Sequence, residues 1–180
     1  KNNFKAAEDL YNQILEIDPN HIKTIFFLGT LSVQTKNFGR AKQMLQKTIQ
    51  VQPNNVDAHN NLGVVFKEFE KFQKAKDCFE RVIQIQPNHV DAVNNLGNVF
   101  KQLGKPQKAI DYYQKAIEIE PSYVGAHYNL MEICEKTNRI IELKNAVSNA
   151  KTIFKDNSII KLYEGILLSR NEKFVEAKNC

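Results

Sequence analysis

The chain has 180 residues, 42% of them hydrophobic and 25% charged, an ordinary balance for a soluble globular protein with one substantial folded unit. Its 25 Lys and Arg against 20 Asp and Glu give a formal charge of +5 with no basic cluster, which speaks against a nucleic-acid partner, and no apolar run approaches the roughly 20 residues of a membrane span. Three cysteines, Cys78, Cys134 and Cys180, lie 56 and 46 residues apart and fit neither a disulfide framework nor a metal-ligand spacing, so a reducing, cytoplasmic setting is expected, without metal or cofactor.

In chain order, residues 3–18 predict one amphipathic helix, and from Pro19 onward the sequence repeats itself. Pro19, Pro53, Pro87 and Pro121 recur every 34 residues; Gly29, Gly63 and Gly97 keep the same step, as do Ala7, Ala41, Ala75 and Ala109. Each repeat is counted from Ile22, Val56, Val90, Val124 or Ser158, which puts the glycine at position 8, the alanine at 20 and the proline at 32. The chain then divides into a lone second helix (1–21), three well-formed repeats (22–55, 56–89, 90–123), a degenerate one (124–157) and a partial one (158–180). Both ends fall inside a repeat, and the start "KNNFKAAEDL" has no initiator Met or signal core, so a piece of a longer array is expected.

Within a repeat, Val56, His59, Leu62, Val65, Phe66 and Phe69 mark one helix, and Phe72, Ala75, Phe79, Val82, Ile83 and Ile85 mark the next. Asn20, Asn54, Asn88, Ser122 and Asp156 at position 33 are expected to cap each first helix, after a proline that cannot continue the previous one. Asn37, Gly104 and Asn138 suit the turn between the paired helices, and the glycine at 8 is expected to face the alanine at 20, two small groups that permit close approach. In 124–157, Met131, Leu143 and Lys155 replace the glycine, alanine and proline, so the helices must approach differently there and the repeat is expected to open first; Gly165 and Ala177 restore part of the pattern before the chain stops in a second helix begun near Phe174.

A 34-residue helical hairpin with Leu-Gly at 7 and 8, Ala at 20, a large apolar residue at 24 (Tyr11, Leu45, Phe79, Tyr113) and Pro at 32 resembles the tetratricopeptide repeat family. The resemblance implies an all-α, right-handed α-solenoid superhelix whose first helices line a concave groove with positions 2, 5, 6, 9, 12 and 13. Those positions hold Asn60, Asn61, Asn94, Asn95, Asn98 and Asn129, with Lys67, Lys101 and Tyr128 among them, and apolar residues at the ends: Phe26, Phe27, Val33 and Val64, then Tyr128, Leu162 and Tyr163. The position-6 amides form a ladder similar to that of protein O-linked N-acetylglucosamine transferases, and an amide can pair with any extended peptide backbone. Two alternatives stay open: these amides bond a neighbouring helix or are simply solvated, and Asp57 and Asp91 serve the helix dipole instead of a ligand.

The carboxylate clamp of chaperone-binding members of that family is missing, since Lys23 pairs with Phe27 and the next repeats offer Asp57, Asp91, Gly125 and Asn129. No phosphate loop or paired acid and base suggests catalysis; His59 and His127 share position 4, His21 and His89 position 34, and Cys78 and Cys134 read as packing residues. A non-catalytic module binding a partner protein or an extended peptide is therefore expected. The other readings are a substrate-recruiting arm of a larger glycosyltransferase or sulfotransferase, and a self-association module meeting end to end.

Overall fold

The computed structural model describes the backbone of residues 2–178 and the side chains of residues 3–170. Among the described residues there are ten helices and no strand: α1 Asn2–Ile17, α2 Ile22–Gln34, α3 Phe38–Val51, α4 Val56–Glu68, α5 Phe72–Ile85, α6 Val90–Gln102, α7 Pro106–Ile119, α8 Val124–Lys136, α9 Ile140–Ile153 and α10 Ser158–Lys178. The chain forms two compact units, Lys1–Asn95 and Leu96–Cys180.

In the first unit α2 packs on α3 and α4 on α5, with α1 against α2 and α3 against α4, so each helical hairpin leans on the next. Of the predicted apolar stripe Leu62, Val65, Phe66, Ala75, Phe79 and Val82 are buried, whereas Phe69 is 39% exposed; Ile25, Leu28, Leu45 and Ala58 complete the core. The glycine at position 8 faces the large residue at position 24, correcting the expected glycine-alanine contact. A Cβ on Gly63 would lie 2.6 Å from the Phe79 ring, and one on Gly29 3.1 Å from Leu45. In the second unit Gly97 lies against the Tyr113 ring in the same way. The glycine leaves room for a large side chain on the second helix; the alanine at 20 is buried one turn before it.

The hairpin turns also share one design. Lys36, Glu70, Gly104 and Asn138, all at position 15, have φ of 60°, 55°, 67° and 56°, the left-handed conformation that ends a helix. The next N–H then reaches back five residues, as in Lys71 N–H to Phe66 O at 2.8 Å and Arg139 N–H to Cys134 O at 2.8 Å. Of the residues expected in this turn, Gly104 and Asn138 take that role, whereas Asn37 caps α3 by accepting from the Arg40 N–H at 3.3 Å.

The caps of the first helices lie one residue later than expected, at position 34. Asn55 Oδ1 accepts from Ala58 N–H at 2.9 Å, His89 Nδ1 from Ala92 N–H at 3.3 Å, and Asn157 Oδ1 from Ile159 and Ile160 N–H at 2.9 and 3.3 Å. Two of the position-33 asparagines instead accept from a cation on a second helix: Asn20 from Lys47 at 3.0 Å and Asn54 from Arg81 at 2.7 Å. One extra turn residue after the proline is needed before the chain can enter the helix.

In the second unit α7 packs on α8, α8 on α9 and α9 on α10. The degenerate repeat is filled: Met131 and Leu143 are fully buried and Val147 is 4% exposed. The bulk that Met131 adds at position 8 is matched by a small Val147 at position 24. α10 departs from the expected pattern, running unbroken for 21 residues through position 15 where the other repeats turn. Glu172-Lys173-Phe174 repeats Glu70-Lys71-Phe72, so local sequence is not the cause. Among the described residues, nothing lies within 4 Å of a Cβ placed on Gly165. The side chains of Phe174 and Ala177, like Cys180, lie outside the described residues.

Candidate peptide-binding faces

On the first unit, position 6 of α2, α4 and α6 holds Phe27, Asn61 and Asn95. Asn61 is half-buried and donates through Nδ2 to Thr30 Oγ1 at 3.1 Å, a bond from α4 to α2. An amide keeps a second N–H and an acceptor oxygen beyond that bond. Asn95 is half-buried, whereas Asn94 is 6% exposed and so does not offer its amide to an open surface. Asn60 is half-buried, and its Oδ1 is buried without a partner. Lys67 sits 4.0 Å from its neighbour Glu68, a weak pairing. Phe27 is 48% exposed, stacked at 6.2 Å on Tyr11 and tilted at 5.4 Å against Phe26, so an aromatic cluster adjoins the first amide rung.

On the second unit Asn98, Tyr128 and Lys101 are each bonded to another residue of that unit. Asn98 Oδ1 accepts from Tyr113 OH at 2.9 Å, and Tyr128 OH accepts from Asn157 Nδ2 at 2.7 Å. Lys101 donates to Glu132 at 2.9 Å, and Lys136 donates to the other oxygen of the same carboxylate at 2.5 Å. The Lys136 and Lys101 hydrogen bonds hold the Glu132 carboxyl below its ordinary value, outweighing partial burial. Asn129 is half-buried between these groups in sequence. Tyr163 is half-buried, its phenol raised by burial and then by Glu132, and Leu162 is 60% exposed.

Among the described residues the histidines make local contacts and the cysteines are buried or half-buried. His59 and His127 donate from Nε2 to the carbonyls of Pro53 and Pro121 at 2.9 and 2.8 Å, tying the first helix to the preceding turn. Burial, then Asp77, pushes the Cys78 thiol up to about 12, and burial, then Glu142, pushes Cys134 up to about 11, so both are protonated at neutral pH. Among the described residues no three His, Cys, Asp or Glu side chains are grouped to hold a metal, and no helix is long and apolar enough to cross a membrane.

Models of the tetratricopeptide repeat match residues 1–63, 56–89 and 90–123, together more than half of the chain. The chain belongs to the tetratricopeptide repeat family. No curated protein matches it. Among solved structures, MamA is 26% identical with a TM-score of 0.75, over 84% of this chain and 91% of that one. YrrB, described as a TPR protein with an unusual peptide-binding site, is 20% identical with a TM-score of 0.73, over 91% of this chain and 84% of that one. These likenesses agree with the all-helical repeat fold, and family membership makes the protein an interaction module.

Sequence reading missed the partners of the candidate residues: Thr30, Glu132 and Asn157. A signal existed for two of them. Thr30 to Asn61 and Lys101 to Glu132 are each 31 residues, one helical turn short of the period, the separation at which first helices of successive repeats meet.

Proposed function

We propose that this tetratricopeptide repeat protein binds an extended peptide segment of a partner protein along the first-helix face of its first unit, with Asn61 and Asn95 pairing with the peptide backbone. The observation that carries this reading is that the amide rungs share their unit with an aromatic cluster in which Phe27 is exposed and Phe26 half-buried, while in the second unit Lys101 and Tyr128 are bonded to Glu132 and Asn157. Neighbouring packed helices lie about 8–10 Å apart, which is about three residues of extended chain. Successive rungs would therefore meet every third peptide residue. That YrrB, a protein of similar fold, is described as having a peptide-binding site supports peptide binding by this fold.

The test is binding of a pool of unstructured peptides to the parent chain, to Asn61→Ala with Asn95→Ala, and to Thr30→Val. Each lost backbone hydrogen bond is worth about 0.5–1.5 kcal/mol, so the double variant should bind roughly tenfold or more weakly at unchanged helicity. Thr30→Val removes only the bond between α4 and α2 and should bind like the parent. Equal binding by the double variant, or an equal loss in Thr30→Val, would make the amide structural and overturn the reading.

A further inference from the structure

One helical turn before the bond from Asn61 to Thr30, the same two helix faces carry an acid and an aromatic ring. Asp57 stands four residues before Asn61 on α4, and Phe26 four residues before Thr30 on α2. Residues at that spacing share a helix face, about 6 Å apart along the axis. Asp57 is exposed and, among the described residues, makes no hydrogen bond or ion pair. Capping of α4 falls to Asn55, whose side chain accepts from the Ala58 N–H at 2.9 Å, so the helix end does not occupy the Asp57 carboxylate. Lys23, in the first turn of α2, is exposed and forms no ion pair with it. Phe26 is half-buried, its ring tilted against Phe27 at 5.4 Å. An uncommitted carboxylate one turn from a hydrogen-bonding amide, with an aromatic ring on the neighbouring helix, is the chemistry that receives a basic side chain. The apolar stem of Lys or Arg lies along the ring while the charged head reaches the acid. In α8 of the second unit, position 2 is Gly125, so the acid has no counterpart there.

We propose, on the peptide reading above, that Asp57 selects a basic residue in the bound segment. The peptide residue whose backbone pairs with Asn61 is Lys or Arg, and its side chain runs back along α4, over Phe26, to the Asp57 carboxylate. The segment recognised is therefore extended and basic, and the same carboxylate repels an acidic one. Asp57 also complements the positive end of the α4 dipole. That role by itself gives no preference among peptides.

The probe is a set of short unstructured peptides, identical except for one central Lys, Arg, Gln or Glu, measured by fluorescence anisotropy against the parent, Asp57→Asn and Asp57→Lys. The parent should bind the Lys and Arg peptides up to about fivefold more tightly than the Gln peptide, the scale of one exposed ion pair. It should bind the Glu peptide more weakly than the Gln peptide, and added salt should shrink both differences. Asp57→Asn should bind all four alike, at the strength the parent shows for Gln, and Asp57→Lys should prefer Glu. A parent without preference overturns the proposal. So does a preference that survives in Asp57→Asn beside a lowered thermal midpoint, which assigns the acid to the helix dipole alone. Asn61→Ala with Asn95→Ala separates the two readings. Weaker binding of all four peptides by that variant, with no charge preference in the parent, overturns the basic-residue selection and keeps the backbone pairing; unchanged binding by that variant beside a charge preference overturns the backbone pairing alone.

Discussion

The repeat of residues 56–89 and that of residues 124–157 share a period and differ in how they fill it. The first sets Gly63 under Phe79; in the second Met131, Leu143 and Val147 are all buried. Their outward faces differ in parallel: Asn61 spends one N–H on Thr30, whereas Glu132 is held by two lysines and Tyr128 by Asn157. One repeat keeps the family's small-against-large contact and an open amide; the other redistributes bulk inside and closes its surface with internal bonds. Losing the signature glycine and alanine leaves the interior of this repeat filled, its volume carried by Met131 and Leu143.

The largest effect should come from emptying the redistributed core. Met131→Ala leaves a cavity at a fully buried position and should cost about 2–5 kcal/mol in denaturant unfolding. A loss under about 1 kcal/mol would mean that 124–157 is already loosely packed. Next is the reverse intrusion: Gly63→Met drives a side chain into the Phe79 ring and should cost about 1–3 kcal/mol. Adding Phe79→Val, which copies the pair at Met131 and Val147, should recover a measurable part of that loss. Additive losses in this double-mutant cycle would break the comparison.

The period, the paired helices and the buried stripe were legible in the sequence because each rests on side chains recurring at helical spacing. What was not legible depends on geometry between elements. The glycine's true partner required knowing which turn of the second helix crosses it, and the caps shifted by one residue because a proline followed by an asparagine at 33 reads locally as a cap. The turn at Lys36 and Glu70 was invisible because neither residue favours a left-handed backbone; packing imposes it. At the candidate site, the residue types at positions 5 and 6 were readable. Burial of Asn94 and the Lys101 to Glu132 bond were not, since both depend on the neighbouring repeat.

Smaller effects sharpen the contrast between the two faces. Glu132, with its carboxyl depressed in the folded state, stabilises the fold at pH values above its unfolded value of about 4.3, and that contribution fades as the pH falls through the folded value. Glu132→Gln should therefore cost about 0.5–1 kcal/mol at neutral pH and nothing near pH 2. A constant difference across that range would deny the ion pairs any role. The smallest shift is a gain: Glu70→Gly relieves the left-handed strain at φ 55° and should raise stability by about 0.5 kcal/mol, measured by the thermal midpoint.

Assigned amide NMR spectra of the chain during titration with an unstructured peptide test most directly where binding takes place. Shift changes concentrated on α2, on α4 and on residues 90–95, around Phe27, Asn61 and Asn95, with residues 128–136 and 157–163 unmoved, are the predicted result. Changes centred on Tyr128, Glu132 and Asn157 would contradict it, because the face closed by its own bonds would then be the one that opens to a ligand.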